Sequence, residues 1–511
     1  MTDAIQKIND DVKAVEIAFS QQLGSIALDH YVKDRSDGAF LMFEIAKPHD
    51  RFFRMLDNAM ATVPADNSFK ERTTIVERKK YPSDRLSLPE TQLLRATVSE
   101  SLTIDRHSFE DDFFSRYTAS VTNCEQLIAT NANFIVYGRR GSGKSSLLAY
   151  GMHTLTRAHM PLAWVAMQPY DGRDDLRVVL DVFEVIASQM AEYCKDDVAL
   201  AAIHKEITSM EKGSDSALAK RLPLFLPKFR KAIQSITGPK VTFTIFLDDL
   251  HVLAPAIQPV LLSYLYGVAR GNRCFIKVSG IAQFSHPWDS ILRKGLEPIH
   301  DAQILKLDYN LTMPDKSKKH IVGILDAQAQ YCGIPSINFL ANDSALSRLV
   351  WVAAAVPRDA LSLFSLAVAK GFAKGEKMVS VTSINAAASE MAEAKLQDVQ
   401  SDAQGRSVMI RKTLELVRTF CVDKHRKNAF LVEIDSSSKI FKDIQSLIAL
   451  RLVHVLHEGI TPHEAGKRFM ALMLDYGFYV GIRAARSVDL FQKEPSTILA
   501  KNLRSLPVLT S

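Results

Sequence analysis

The sequence predicts an α/β fold built on a mainly parallel sheet with helices on both faces, followed by a helical unit and a small terminal domain. Three observations predict it. Short apolar runs rich in β-branched and aromatic residues recur between helical patterns through the middle of the chain. A glycine-rich turn joins the first of these runs to the helix that follows. Beyond about residue 308 the strand signal fades and helical periodicity takes over.

Taken in order, residues 1–105 have weak periodicity and a polar connector at 71–85 (ERTTIVERKKYPSDR), and form a mixed N-terminal extension with no assigned role. Residues 133–137 (NFIVY) read as a strand, 145–156 as a helix ending before Pro161, and 161–167 (PLAWVAM) as a second buried strand. Leu176, Val179, Leu180, Val182, Phe183 and Ile186 recur at helical spacing. Residues 241–247 (VTFTIFL) and 274–278 (CFIKV) are further strands, with a helix at 257–267 between them. Strands that alternate with helices form a parallel sheet buried on both sides, so 106–307 is expected to be one α/β core. Residues 308–400 read as a helical lid. Residues 401–511 read as a winged-helix-like domain with a hairpin-like stretch at 452–458 and a closing helix at 462–474.

The length of 511 residues predicts about three domains. Hydrophobic content of 47% with 23% charged residues is that of a folded globular chain rather than a disordered one. A net charge of +6 permits nucleic acid as a partner without demanding it. The five cysteines, Cys124, Cys194, Cys274, Cys332 and Cys421, are scattered and form no CxxC pair, which argues against a disulfide framework or zinc site and suits a reducing cytoplasm. The N-terminus lacks a basic head and apolar run, and no apolar stretch approaches the ~20 residues that cross a bilayer; a cytoplasmic protein without membrane association is expected.

The chemistry concentrates in Gly138-Arg139-Arg140-Gly141-Ser142-Gly143-Lys144-Ser145, which satisfies GxxxxGK(S/T) without mismatch between a strand and a helix and is followed by Ser146. Glycines let the backbone curl until successive N–H groups face phosphate oxygens, and the helix N-terminus adds partial positive charge. Lys144 is expected to reach the β- and γ-phosphates of ATP, and the Ser145 hydroxyl to ligate Mg²⁺. The run 243–249 (FTIFLDD) puts two acids at a strand mouth rather than in the core. Asp248 is the expected metal-linked carboxylate. Asp249 either orients and activates the attacking water or serves as a helix cap or ion-paired loop acid. As an aspartate it is one methylene short of the common glutamate, so hydrolysis is expected to be slow. His463-Glu464 is followed by Lys467 where HExxH needs a second histidine, so no such metal site forms.

Four segments in sequence order resemble the AAA+ ATPases, and within them the origin-recognition and replication-initiator-like group. They are GRRGSGKSS at 138–146, FLDDLH at 246–251, CFIKVSG at 274–280 and AAVPRDALSLFSLAVAKG at 354–371. The resemblance spans about 108–390. It implies a sensor-1 role for Ser279, facing the γ-phosphate, and a sensor-2 role for Arg358, just after Pro357, over the phosphates. Read from the residues alone, Ser279 is also a simple turn residue and Arg358 a solvated or ion-paired helix residue. The DD ending resembles STAND NTPases as much as the DE of ordinary AAA+ enzymes, leaving a cycling ATPase and a one-shot switch both open. Arg270, Arg273 and Arg293 flank the sensor-1 strand, either as an arginine finger for a neighbouring subunit or as ordinary surface residues.

The resemblance also implies a winged helix after the lid. Residues 436–450 suit a recognition-type helix bearing Lys439 and Lys442, and Lys424, Arg426 and Lys427 form a basic cluster, with Arg468 further on. These cations either contact duplex DNA or belong to a solvated or protein-packing face. The run 469–479 has helical spacing, with Asp475-Tyr476-Gly477 as its end. The expected function is a nucleotide-dependent AAA+-like switch with ATP and Mg²⁺, with duplex DNA and a homo-oligomer or protein partner permitted, in a replication, mobile-element or phage-defence setting. The alternative is a weakly hydrolysing STAND-like or scaffold protein that uses its flanking domains for protein partners.

Overall fold

The computed structural model describes residues 2–102, 111–193, 198–307, 311, 314–402, 407–461, 467–479 and 500–510. Cys194, His463 and Glu464 lie outside these. The chain forms two compact units, one of Met1–Thr103, Ser115–Thr118 and Asn310–Ser511, the other of Ile104–Phe114 and Ala119–Tyr309.

In the first unit, β1 (His30–Arg35), β2 (Gly38–Ile45) and β3 (Thr73–Glu77) form a sheet in that order, antiparallel and then parallel. The tight β1–β2 turn rests on Gly38 at φ +126°, a backbone state that other residues avoid. Beside the sheet the fully buried Glu90 accepts a 2.8 Å bond from the Ala46 amide, and burial raises its pKa.

The second unit holds β4 (Phe134–Tyr137), β5 (Leu162–Ala166), β6 (Phe243–Asp248), β7 (Cys274–Gly280), a two-residue ribbon of β8 (Trp288–Asp289) with β9 (Lys294–Gly295), and β10 (Gln303–Lys306). Five of these make one sheet in the order β10-β4-β7-β6-β5, parallel throughout. Every residue of β6 is buried, which is why its sequence is a continuous apolar run rather than an alternating one. The pleat divides the core in two. Ile135, Val165, Leu247 and Val278 pack with the helices Arg177–Met190 and Ile257–Ala269, whereas Phe134, Val136, Trp164 and Phe246 pack with the helix Lys144–Arg157. Between β5 and β6, besides the helix read at 176–186, stand two further helices, Val198–Glu211 and Asp215–Ile236, over residues to which the sequence reading gave no element.

Lys277 breaks the apolar pattern of β7. It is fully buried, and its Nζ donates to the Thr130 carbonyl at 2.6 Å and to that of Ala132, with the Phe134 ring 4.5 Å away. Burial pushes this amine down to about 7. The bonds hold the turn that leads into β4.

Helices Pro314–Tyr331, Asp343–Val352, Pro357–Ala373 and Val381–Asp402 follow in the first unit, then Ser407–Arg418, β11 (Ala429–Glu433), Lys439–Ala449, β12 (Val453–Ile460), β13 (Phe469–Leu474) and β14 (Val508–Leu509). The Ser438 hydroxyl caps Lys439–Ala449 by accepting from the Phe441 amide. The sheet order is β12-β13-β11-β14.

Two expectations for this region are corrected. Residues 469–474 form a strand, not the end of a helix: β13 pairs antiparallel with both β11 and β12, and all six residues are buried. A central strand buried on both faces is apolar throughout, which short windows do not distinguish from a core helix. Asp475 accordingly ends no helix. It is a buried acid whose Oδ2 accepts from Lys395 Nζ at 2.7 Å and meets His454 Nε2 at 2.9 Å. Lys395 also lies 3.4 Å from Asp359, which pairs with Arg451. Burial disfavours the Asp475 charge, yet the Lys395 ammonium and the His454 contact outweigh it and hold the carboxyl below its usual range. Among the described residues no helix is long and apolar enough to cross a membrane.

Candidate nucleotide site

All strands of the second unit's sheet point the same way, so β4, β6 and β7 deliver their final residues to one edge. At that edge the chain leaves β4, turns through Gly138–Gly143 and enters the helix Lys144–Arg157. Gly141 and Gly143 have φ of +80° and +95°, which glycine alone adopts at no steric cost. A Cβ on Gly138 would lie 2.3 Å from Ser142 Oγ and 3.3 Å from Lys144 Cγ, so this position admits no side chain. The Gly138 amide donates to the Gly280 carbonyl at 3.3 Å, tying the loop to the end of β7.

The side chains converge on the same edge. Lys144 is 5% exposed; its Nζ donates to the Arg139 carbonyl at 3.3 Å and stands 4.0 Å from Asp249 Oδ1. Ser279 is fully buried, donates from Oγ to Asp248 Oδ1 at 2.6 Å and accepts from the Asp249 amide at 2.9 Å. One hydroxyl therefore positions both acids. Burial is the main force raising the Asp248 carboxyl to about 6, with the Asp249 charge adding to it; hydrogen bonds from Ser279 and Ser145, and the Lys144 ammonium, pull the other way.

Asp249 has φ +61° and stands at the N-cap position of the short turn Leu250–Val252, but its side chain makes no capping bond there. Its carboxylate instead accepts from Gln168 Nε2 and lies 3.7 Å from His251 Nδ1. Burial drives His251 down to about 4, with Lys144 and Arg140 acting in the same direction and Asp249 against it, so the imidazole is neutral at pH 7. Sequence reasoning gave Gln168 no role and quoted His251 only as part of a motif. The available signal for Gln168 was that it is the first polar residue after the run 161–167; only the pairing of β5 with β6 brings it to Asp249.

Of the other expected residues, Arg140 is exposed and Ser146 half-buried at the helix start. Arg358 belongs to the first unit, in the first turn of Pro357–Ala373. Arg270 and Arg273 sit on the turn entering β7, at the far end of the sheet from the phosphate loop, and Arg293 on the ribbon between β8 and β9. Lys424, Arg426, Lys439 and Lys442 are exposed, and Lys427 is half-buried.

The residues fit a nucleoside triphosphate with a divalent cation. The fit rests on a buried ammonium, a buried Ser142 Oγ without a hydrogen-bond partner, glycines at positive φ and a helix N-terminus that together make an anion cradle. Ser145 and Asp248 add the hard oxygen donors that Mg²⁺ takes.

The phosphate loop follows β4, the acids end β6, and Ser279 lies on β7, the strand between them in a parallel α/β sheet. The chain has a distant likeness to several solved structures. The ORC1 protein of Aeropyrum pernix in complex with DNA has a TM-score of 0.39 at 14% identity, covering 77% of this chain and 95% of that one. The ORC2 protein of Aeropyrum pernix, in ADPNP-ADP complexes, gives 0.40 at 12% identity, with 75% and 97% covered. Drosophila ORC bound to DNA gives 0.36 at 14%, with 81% and 96% covered. No protein-family model and no curated protein matches the chain.

Proposed function

We propose that the protein binds ATP with Mg²⁺ and works as a slowly hydrolysing, nucleotide-dependent molecular switch of the AAA+ type, with duplex DNA as a partner of its C-terminal region. The observation that supports this reading is the meeting of Lys144, Ser145, Asp248, Asp249 and Ser279 at one edge of the parallel sheet.

In this reading the main-chain amides of 138–146 and the helix N-terminus take up the phosphate charge, and Lys144 neutralises the β- and γ-oxygens. Ser145 and Asp248 would hold the Mg²⁺. When bound there, the ion would supply positive charge beside the phosphates. Asp249 accepts a hydrogen bond from the attacking water and aims it, while Ser279 fixes the carboxylate of one acid and the main chain of the other. Arg358 takes the phosphate-sensing role that its motif implies. Residues 308–400 are the lid and 401–511 the winged-helix-like domain. The succession of helix, β11, helix, β12 and β13 supports the latter, with Lys424, Arg426, Lys427, Lys439 and Lys442 as phosphate contacts.

The test is ATP affinity and turnover of the wild type and Lys144→Ala, with and without duplex DNA. Losing charge-assisted bonds to phosphate is worth about 2–3 kcal/mol, so Lys144→Ala should bind ATP about 30- to 150-fold more weakly. Equal affinity would remove the site assignment. DNA-stimulated turnover supports the switch; turnover that ignores DNA favours the scaffold alternative.

That alternative has its own support in the hydrogen bond that Gln168 makes to Asp249, which diverts the acid from water. Gln168→Ala should free the carboxylate and raise basal turnover a few-fold at unchanged ATP affinity. A fall in turnover would instead make Gln168 a supporting residue for Asp249.

A further inference from the structure

The opposite end of the second unit's sheet, where the strands begin, carries an unassigned basic surface. Arg157 ends the helix before β5, Lys240 lies on the turn before β6, and Arg270 and Arg273 lie on the turn before β7. Arg230 and Lys231 join them from the last turns of Asp215–Ile236. Backbone and side-chain bonds hold these segments together: the Phe243 amide donates to the Arg273 carbonyl at 3.0 Å, Asn272 Nδ2 to the Arg230 carbonyl at 3.3 Å, and Arg230 Nη1 to the Gly267 carbonyl at 3.1 Å. The Thr244 amide, donating to the Pro161 carbonyl at 3.2 Å, brings the β5 turn alongside.

Five of the six cations are exposed, Arg230 is half-buried, and among the described residues none is ion-paired with a carboxylate. Elsewhere in the same unit cations do find acids, as Arg177 finds Asp215 and Lys228 finds Glu206. The segments 228–243 and 267–275 contain no acid at all. Among the described residues, Asp301 before β10 is occupied by Tyr266 Oη and the Glu297 amide.

We propose that this pole binds the phosphodiester backbone of a DNA duplex, without reading bases. Unpaired cations crowded on one surface repel one another, and a polyanion relieves that repulsion while releasing its own counterions. The exposed polar neighbours Gln234 and Ser235 suit a wet, hydrogen-bonding interface. An acidic protein is the poorer fit, because protein docking surfaces are built round apolar or aromatic anchors. On these turns the one strongly exposed large apolar residue is Val241, at 36%. The surface is distinct from the phosphate loop and from the C-terminal cations of the proposed switch, and does not depend on either.

The experiment measures binding of a labelled mixed-sequence DNA duplex to the full chain by anisotropy between about 50 and 200 mM salt. The triple variant Lys231→Ala/Lys240→Ala/Arg270→Ala removes exposed side chains that hold no structural hydrogen bond. It should lower the slope of log K against log salt by about 2 to 3, at roughly 0.9 per phosphate contact. The charge-keeping Lys231→Arg/Lys240→Arg/Arg270→Lys should retain the wild-type slope, and ATP affinity should stay unchanged in both. An unchanged slope in the alanine variant, or a wild type that does not bind duplex at low salt, overturns the proposal. So does an alanine variant that loses binding to polyglutamate but not to duplex. Lys439→Ala/Lys442→Ala is measured in parallel. Loss there with a silent pole sinks this inference and leaves the C-terminal contacts standing, and the reverse result does the opposite.

Discussion

Asp249→Asn is expected to lower ATP turnover by about two to four orders of magnitude, the range over which a positioned general base acts, while ATP affinity changes little. Asparagine keeps the size and the polar oxygen, so Gln168 still has an acceptor, and φ +61° is a backbone state that asparagine tolerates well. What is lost is negative charge aimed at water, not fold. Asp248 should respond differently, because it is buried, bonded to Ser279 and Ser145, and assigned to the metal; removing it affects Mg²⁺-dependent binding as well as turnover. Single-turnover hydrolysis beside equilibrium nucleotide binding separates the two acids. If Asp249→Asn turns over at the wild-type rate, Asp249 is a structural acid and the hydrolytic part of the reading fails.

Lys395→Met is expected to destabilise the first unit by about 3–5 kcal/mol, the usual cost of removing one member of a buried ion cluster. Lys395 lies between Asp475 and Asp359, at 2.7 and 3.4 Å, and both acids are almost fully buried. Burial opposes its charge, but the two carboxylates outweigh that and hold its pKa above the ordinary lysine value. Methionine preserves the stem and leaves the Asp475 carboxylate with His454 and the Gly477 amide. The depressed Asp475 pKa fixes the pH dependence: its contribution is present above about pH 4, where the unfolded carboxyl is ionised, and is lost as pH falls towards the lower folded value. The urea midpoint of Lys395→Met against wild type at neutral pH measures the effect, and the gap should narrow in acid. A shift under about 1 kcal/mol would mean that His454 and Arg451 suffice for the two acids.

The parallel sheet and phosphate loop were legible because both are local signals: continuous apolar runs for strands buried on two sides, and a fixed glycine spacing for the turn. Asp248 was legible for a similar reason, since a charge at the end of an apolar run marks a strand mouth. Gln168 was hidden because its partner stands 81 positions away and only strand order joins them. β13 was misread because total burial erases the period-two pattern that distinguishes a strand. Lys277 and the Lys395 cluster were invisible to any window, since a buried charge looks like a surface one until its distant partners are known.

β7 carries Lys277 and Ser279 two residues apart, on the same side of the pleat, opposite Phe134 and Val136 of β4. The first is anchored to carbonyls at one end of the sheet and the second to the acids at the other. Apolar side chains tolerate sliding along a strand, because one branched hydrocarbon replaces another. An ammonium moved by two positions would arrive where a hydroxyl belongs, with no carbonyls to receive it, and the acids would lose their shared donor. These two polar pins thus act mainly against misaligned sheets, and let an otherwise uniform hydrophobic interior settle in a single alignment with the phosphate loop beside its acids.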